Sequence, residues 1–168
     1  MIILASASPR RQELLQQLGC KFMVVVSDAV EEKGQLLTPE DLVARNAHLK
    51  AAAVSASHPK LPVLGADTVV SLGGHIYGKP RDEAEARQML ACFSGRQHRV
   101  STGIAFVWGS RCWQAVETTE VDFASLSTAE IAAYAASPEP LDKAGAYAIQ
   151  GRAAAFIEGI HGSYSNVV

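Results

Sequence analysis

The run LPVLGADTVVSL at positions 61–72 is apolar nearly throughout and carries a single charge, Asp67. Its length and its β-branched content read as a strand, with Gly73-Gly74 as the turn that ends it. Val63 and Leu64 precede the aspartate, and Val69 and Val70 follow it. A buried charge is costly unless it is paired or bound to a metal. Placed at the end of a strand, Asp67 can ligate a cation or take a proton from water. An aspartate satisfied by a turn is the plainer account.

The flanking segments supply further elements. Residues 2–5, IILA, read as a short buried strand running into a helix. Ser8 is a candidate N-cap, Pro9 suits the first helical position, Leu14, Leu15 and Leu18 make an apolar stripe, and Gly19 ends the helix. KFMVVVS (21–27) is a second strand, followed by the polar loop DAVEEKGQLL. Thr38-Pro39-Glu40-Asp41 opens a helix that runs to about Ser55, with acid in its first turn as the dipole prefers. Asp82 and Glu85 have the spacing of a capping box for a helix ending near Ser94-Gly95. Residues 98–108 and 112–123 read as strands joined at Gly109-Ser110, and Ser127 with Glu130 caps another helix. LDKAGAYAIQG (141–151) is a crossover loop, and AAAFIEG is a last strand before HGSYSNVV. No repeat or linker interrupts the chain. Strands and helices mix around a hairpin, so the expected class is α/β with a mixed sheet, in one domain spanning 1–168.

Two arginines, Arg10 and Arg11, sit in the first turn of the opening helix, against its positive dipole. A helix N-terminus binds anions through its open N–H groups, and two guanidiniums add forked donors suited to phosphate. Solvated surface arginines explain the pair equally well. Ser6 and Ser8 lie beside them. Gly78-Lys79-Pro80-Arg81 puts basic groups in a loop before a helix, where an exposed basic turn is the usual case. Lys50 lies near the end of an Ala-rich helix, where a cation suits the dipole anyway. In the 141–151 segment, small residues let a ligand approach the backbone, and Gln150 offers a donor and an acceptor. Scattered Arg, Lys and carboxylates together suggest a triphosphate site using a hard cation such as Mg²⁺.

The remaining composition excludes several classes. With 15 Lys and Arg against 17 Asp and Glu, the net charge is −2, which argues against a general nucleic-acid or membrane surface. No apolar run approaches about 20 residues, and MIILAS lacks a basic n-region, so neither a spanning helix nor a signal peptide is expected. Cys20, Cys92 and Cys112 are scattered and odd in number, which fits reduced thiols in a cytoplasmic protein. His48, His58, His75, His98 and His161 do not fall at ligand spacing on one helix, so zinc is not expected. The GxxxxGK[ST] and GxGxxG patterns are absent.

Taken in order, LASASPRRQELLQQLG (4–19), RNAHLKA (45–51), PVLGADTVV (62–70), GKPRDEAEARQML (78–90), FSGRQHRVSTGIA (93–105), EPLDKAGAYAIQG (139–151) and GSYSNVV (162–168) resemble the Maf family of nucleotide pyrophosphatases. The resemblance covers nearly the whole chain. It implies an elongated α/β architecture like that of inosine triphosphate pyrophosphatases, with a cleft between two lobes, often dimeric. It also implies hydrolysis of a nucleoside triphosphate to monophosphate and pyrophosphate. On it, Asp67 is the catalytic base acting on a metal-associated water, and Ser6, Arg11, Lys50 and Lys79 hold the phosphates. Either Glu31 or Glu32 completes a Mg²⁺ or Mn²⁺ site with Asp67. Arg10, Thr68 and Gln150 resemble the dTTP/UTP branch; the 7-methyl-GTP branch has Trp, Gln and Glu at the matching places. A 7-methyl-GTP pyrophosphatase and a nucleotide-binding regulator of cell division without turnover are the rival readings. Family members continue past NVV through a Gly-Leu-Pro segment and a closing helix, whereas this sequence stops at Val168.

Overall fold

The computed structural model describes residues 1–34 and 36–168. In chain order these form β1 (Ile2–Leu4), α1 (Pro9–Gln17), β2 (Phe22–Val24), α2 (Pro39–Ser57), β3 (Val63–Leu72), β4 (His75–Tyr77) and α3 (Glu83–Phe93). Then follow β5 (Gln97–Trp108), β6 (Arg111–Phe123), α4 (Thr128–Ala135), β7 (Ile157–His161) and α5 (Tyr164–Val167). The strands make one seven-stranded sheet in the order β2-β1-β3-β5-β6-β7, with β4 on β3. β1 runs parallel to β2 and β3, while β4 is antiparallel to β3 and β7 to β6. The expected α/β class with a mixed sheet is what the chain adopts.

The chain divides into two compact units, residues 1–67 with 102–117 and residues 68–101 with 118–168. In the first, α2 begins as its sequence requires. Thr38 is the N-cap and accepts from the Asp41 N–H, Pro39 takes the first helical position, and Glu40 and Asp41 face the positive end of the dipole. Its buried face repeats at helical spacing through Leu42, Val43, Asn46, Ala47, Ala51 and Val54. Ala47, Ala51 and Val54 pack with Ile3, Val63, Ala105 and Val107. The approach of helix to sheet is close. A Cβ on Gly65 would lie 2.2 Å from the Ala47 carbonyl oxygen, and one on Gly103 would lie 2.5 Å from that of Val43. Only glycine permits such contact between β3 or β5 and the helix backbone.

In the second unit, α3 is capped by Asp82, which accepts from Glu85 N–H at 2.8 Å. The reciprocal half of that box is missing, because the Glu85 carboxylate turns to Arg81. Ser127 and Glu130 form the full box on α4. The core gathers Val70, Met89, Leu90, Phe93, Phe123, Tyr134 and Tyr147.

Several expectations are corrected. Ser8 stands at the N-cap of α1 in an extended conformation but makes no side-chain cap bond. The leucine stripe of α1 buries only Leu15, and Leu18 is 75% exposed because the helix stops one residue earlier. β2 is shorter than 21–27, and the antiparallel β4 after Gly73-Gly74 has no counterpart in the sequence reading. AAAFIEG is half strand: Arg152–Phe156 is a 3₁₀ turn, and β7 begins at Ile157. Asp67 is not at a strand end, since β3 continues to Leu72. In the polar loop after β2, Gln35 lies outside the described residues. Among the described residues no helix is long and apolar enough to cross a membrane, and Cys20, Cys92 and Cys112 are free and exposed.

Candidate active site

Parallel pairing of β1 with β3 in the register Leu4 to Leu64 carries Asp67 just past the carboxyl end of β1. The turn from β1 into α1 lies at the same edge, with Ala5 N–H bonded to the Leu64 carbonyl. In open α/β sheets, ligands bind outside the carboxyl ends of such strands. Here that edge is densely charged.

Asp67 is buried, and donors grip both of its oxygens. Lys50 Nζ donates to Oδ1 at 2.7 Å and Asn46 Nδ2 to Oδ2 at 3.1 Å. Asn46 and Lys50 are four residues apart on α2 and so share a face. Lys50 also meets Glu31 Oε1 at 2.8 Å. The helix extends to Ser57, so Lys50 sits within it rather than at its last turn, and complementing the dipole no longer explains it.

Glu31 and Glu32 behave differently. The Glu31 carboxylate converges with that of Asp67 on one ammonium and is 55% exposed. The Glu32 carboxylate faces Arg45 at 3.5 Å. The backbone of Glu32 is tied to Asn46 instead, its N–H donating to Oδ1 at 2.7 Å and its carbonyl accepting from Nδ2 at 3.3 Å. One buried amide therefore joins the acidic loop to Asp67. Asn46 lies in the RNAHLKA block but is not among the residues that the sequence singles out. Its only sequence signal is the spacing to Lys50.

On the other side of Asp67, Arg11 Nη1 donates to Ser6 Oγ at 3.0 Å and to the Ala66 carbonyl at 2.9 Å. Ser6 Oγ also accepts from Ser8 N–H at 3.3 Å. With two donors on its oxygen, the Ser6 hydroxyl hydrogen is left to point elsewhere. Burial pulls the Arg11 guanidinium below its ordinary pKa. Asp67 opposes that shift, Arg10 adds to it, and Glu31 opposes it. Arg10 is half-buried in the first turn of α1.

The structure thus brings Ser6, Arg11, Lys50, Asp67 and Glu31 together within the first unit. Lys79, Thr68 and Gln150 belong to the second. There Gly145 N–H donates to the Gly78 carbonyl at 3.0 Å, which joins the loop carrying Lys79 to the segment carrying Gln150. Thr68 follows Asp67 along β3.

The oxygen donors suit a hard cation. Asp67 and Glu31 already converge on one positive group, Lys50. Among the described residues no three His, Cys, Asp or Glu side chains form a ready cage.

The mixed sheet with flanking helices is that of an α/β protein, and its gripped carboxylate, Asp67, lies just past the carboxyl end of β1, the edge at which α/β proteins bind ligands. The chain belongs to the Maf family, whose model, described as Maf-like protein, matches residues 1–168. A relative from Symbiobacterium thermophilum, named dTTP/UTP pyrophosphatase, is 53% identical over 167 residues, covering 99% of this chain and 86% of its own length. One from Bacillus thuringiensis with the same name is 47% identical over 167 residues, 99% and 87% covered. One from Bacillus cytotoxicus, also so named, is 48% identical over 166 residues, with 99% and 87% covered.

Proposed function

We propose that this chain is a nucleoside triphosphate pyrophosphatase that hydrolyses dTTP and UTP to the monophosphate and pyrophosphate. The observation that best supports this reading is the buried Asp67 carboxylate, fixed by Lys50 and Asn46 beside Glu31. In the proposed reaction, an Asp67 oxygen accepts a proton from the attacking water. The water oxygen bonds to the α-phosphorus, and the bond to the bridging oxygen breaks to release pyrophosphate. An ionised carboxylate has about four acceptor sites, so the two protein donors leave room for that proton. Lys50 and Asn46 hold the carboxylate plane in place, which is where positioning contributes to rate.

Arg11, Lys50 and Lys79 neutralise the phosphates, and the Ser6 hydroxyl donates to them beside the open amides of α1. Asp67 and Glu31 are the residues that would hold Mg²⁺ or Mn²⁺; Glu32 is the weaker candidate, given its contact with Arg45. When bound, that cation supplies charge neutralisation and a more acidic water. Arg10, Thr68 and Gln150 select the base. The two arginines oppose the helix dipole because the turn is built around an anion.

The chain works in the cytoplasm as a homodimer on this reading, with neither nucleic acid nor membrane as partner. Ile104 and Trp108 on β5, with Trp113 on β6 in ring contact with Phe106, are exposed apolar groups that support the dimer, because exposed apolar surface favours association. Phosphorus NMR of the purified chain with UTP and Mg²⁺ tests the activity. Pyrophosphate should appear with UMP from the first turnover, and early orthophosphate alone would refute the assignment.

A further inference from the structure

The segment carrying Gln150 follows an unusual backbone. Gly145 has φ +69° and Ala146, which carries a Cβ, has φ +61°. A left-handed alanine is strained and persists only where its surroundings over-determine it. Ala146 is fully buried, and a Cβ on Gly145 would lie 2.7 Å from the Val70 side chain. Tyr147, the next residue, shares a 2.7 Å hydrogen bond between its hydroxyl and His98 Nε2.

His98 is 1% exposed and sits among aromatic rings, stacked on Phe93 at 4.6 Å between centroids and edge-on to Phe123 at 4.9 Å. Its Nδ1 has no hydrogen-bond partner among the described residues. An apolar ring would fill this place without burying an unpaired nitrogen, which carries a desolvation cost. What the imidazole adds is the bond to Tyr147. Burial lowers its pKa from 6.5 to about 4, with Asp122 acting weakly the other way, so it is neutral at physiological pH.

We propose that the His98–Tyr147 pair is a positioning device that holds Gln150 against the base and, through the Gly145–Gly78 bond, holds the Lys79 loop. The proposal rests on the reading of Gln150 as base selector in a pyrophosphatase. Neither His98 nor Tyr147 touches substrate in it.

The test uses the full chain with UTP and GTP. Tyr147→Phe removes one hydroxyl and leaves the ring packed. It should raise KM for UTP about fivefold, the effect of one ordinary hydrogen bond, with a smaller change in kcat. The preference for UTP over GTP should fall by the same factor. His98→Phe should act alike, and the double variant should be no worse than either single, because both break the same bond. In a Gln150→Ala background, Tyr147→Phe should no longer alter the preference, a result that needs no His98 variant to fold. An unchanged KM and preference in Tyr147→Phe would overturn the proposal alone, as would a further loss of preference when Gln150 is already Ala. A wild-type chain that does not distinguish UTP from GTP would overturn the reading of Gln150 and the proposal with it.

Discussion

Lys50 Nζ lies 2.7 Å from Asp67 Oδ1, and both side chains are largely buried. The pair joins the middle of α2 to the middle of β3 at the one charge in an apolar strand. Replacing Asp67 by Asn keeps the shape but removes the charged partner of the ammonium and, on the proposed mechanism, the base. Asp67→Asn should lower kcat by about 10²–10⁴-fold, the usual contribution of a general base. Steady-state release of pyrophosphate at saturating metal measures this, and near-normal turnover would remove Asp67 from the chemistry.

Asn46 offers a prediction that concerns a residue with no charge. Asn46→Ala leaves the Glu32 N–H and one Asp67 oxygen without their donor or acceptor. Loss of stability of about 1–3 kcal/mol is expected for groups so exposed to desolvation. Urea unfolding reads the stability. Turnover should fall more steeply than stability, because the carboxylate loses its fixed plane, and equal kcat in folded variant and wild type would argue otherwise.

Gly65→Ala tests the backbone contact under α2. The added methyl meets the Ala47 carbonyl oxygen at 2.2 Å and the Ala51 nitrogen at 2.8 Å, neither of which is a flexible side-chain end. Overpacking of this kind costs about 1–3 kcal/mol or more. Thermal unfolding should show a clear drop, and a Tm equal to wild type would mean that helix and strand can part freely.

Base selection gives a fourth outcome. UTP and dTTP should be cut at least about 10-fold more efficiently than 7-methyl-GTP, which corresponds to about 1.4 kcal/mol in the transition state. On the proposed reading, the Gln150 amide presents both donor and acceptor to a pyrimidine edge, whereas glutamate would present only acceptors. Arg10→Trp, Thr68→Gln and Gln150→Glu made together should narrow or reverse the ratio. A wild-type preference for 7-methyl-GTP would reverse the branch and leave the reaction standing.

His98 makes stability depend on acidity. Its pKa falls from 6.5 to about 4 on folding, so between those values the unfolded chain binds more protons than the folded one. This contribution is constant above pH 6.5 and is lost as pH falls toward 4, by up to about 3 kcal/mol if the whole shift is expressed. A series of unfolding curves from pH 4 to pH 7.5 should show the slope. His98→Phe should flatten it.

Local chemistry made much of the fold legible. Thr38, Asp82 and Ser127 announce their helices because a cap acts within a few residues, and the β5–β6 hairpin follows from Gly109-Ser110 between two strand-like segments. Asp67 was visible because a charge in a strand must be answered by something. What answered it was hidden in part. An asparagine inside an Ala-rich helix carries no signature of its own, and its link to Glu32 spans a loop that local patterns do not describe. The His98–Tyr147 bond joins residues from distant segments. The strand expected through AAAFIEG yielded to a 3₁₀ turn, since a run of alanines has little preference for the sheet.

Ser8 occupies the cap position of α1 without capping it. Helices gain about 1 kcal/mol from a good cap, and changes of that size are easily found by selection or by design. An aspartate at position 8 would bond the opening amides and favour the dipole. On the proposed reading it would also set a fixed negative charge where the substrate must bring its own. The opening turn is therefore a place where robustness and turnover compete, and a heat-resistant version of this enzyme is better sought at almost any other helix end.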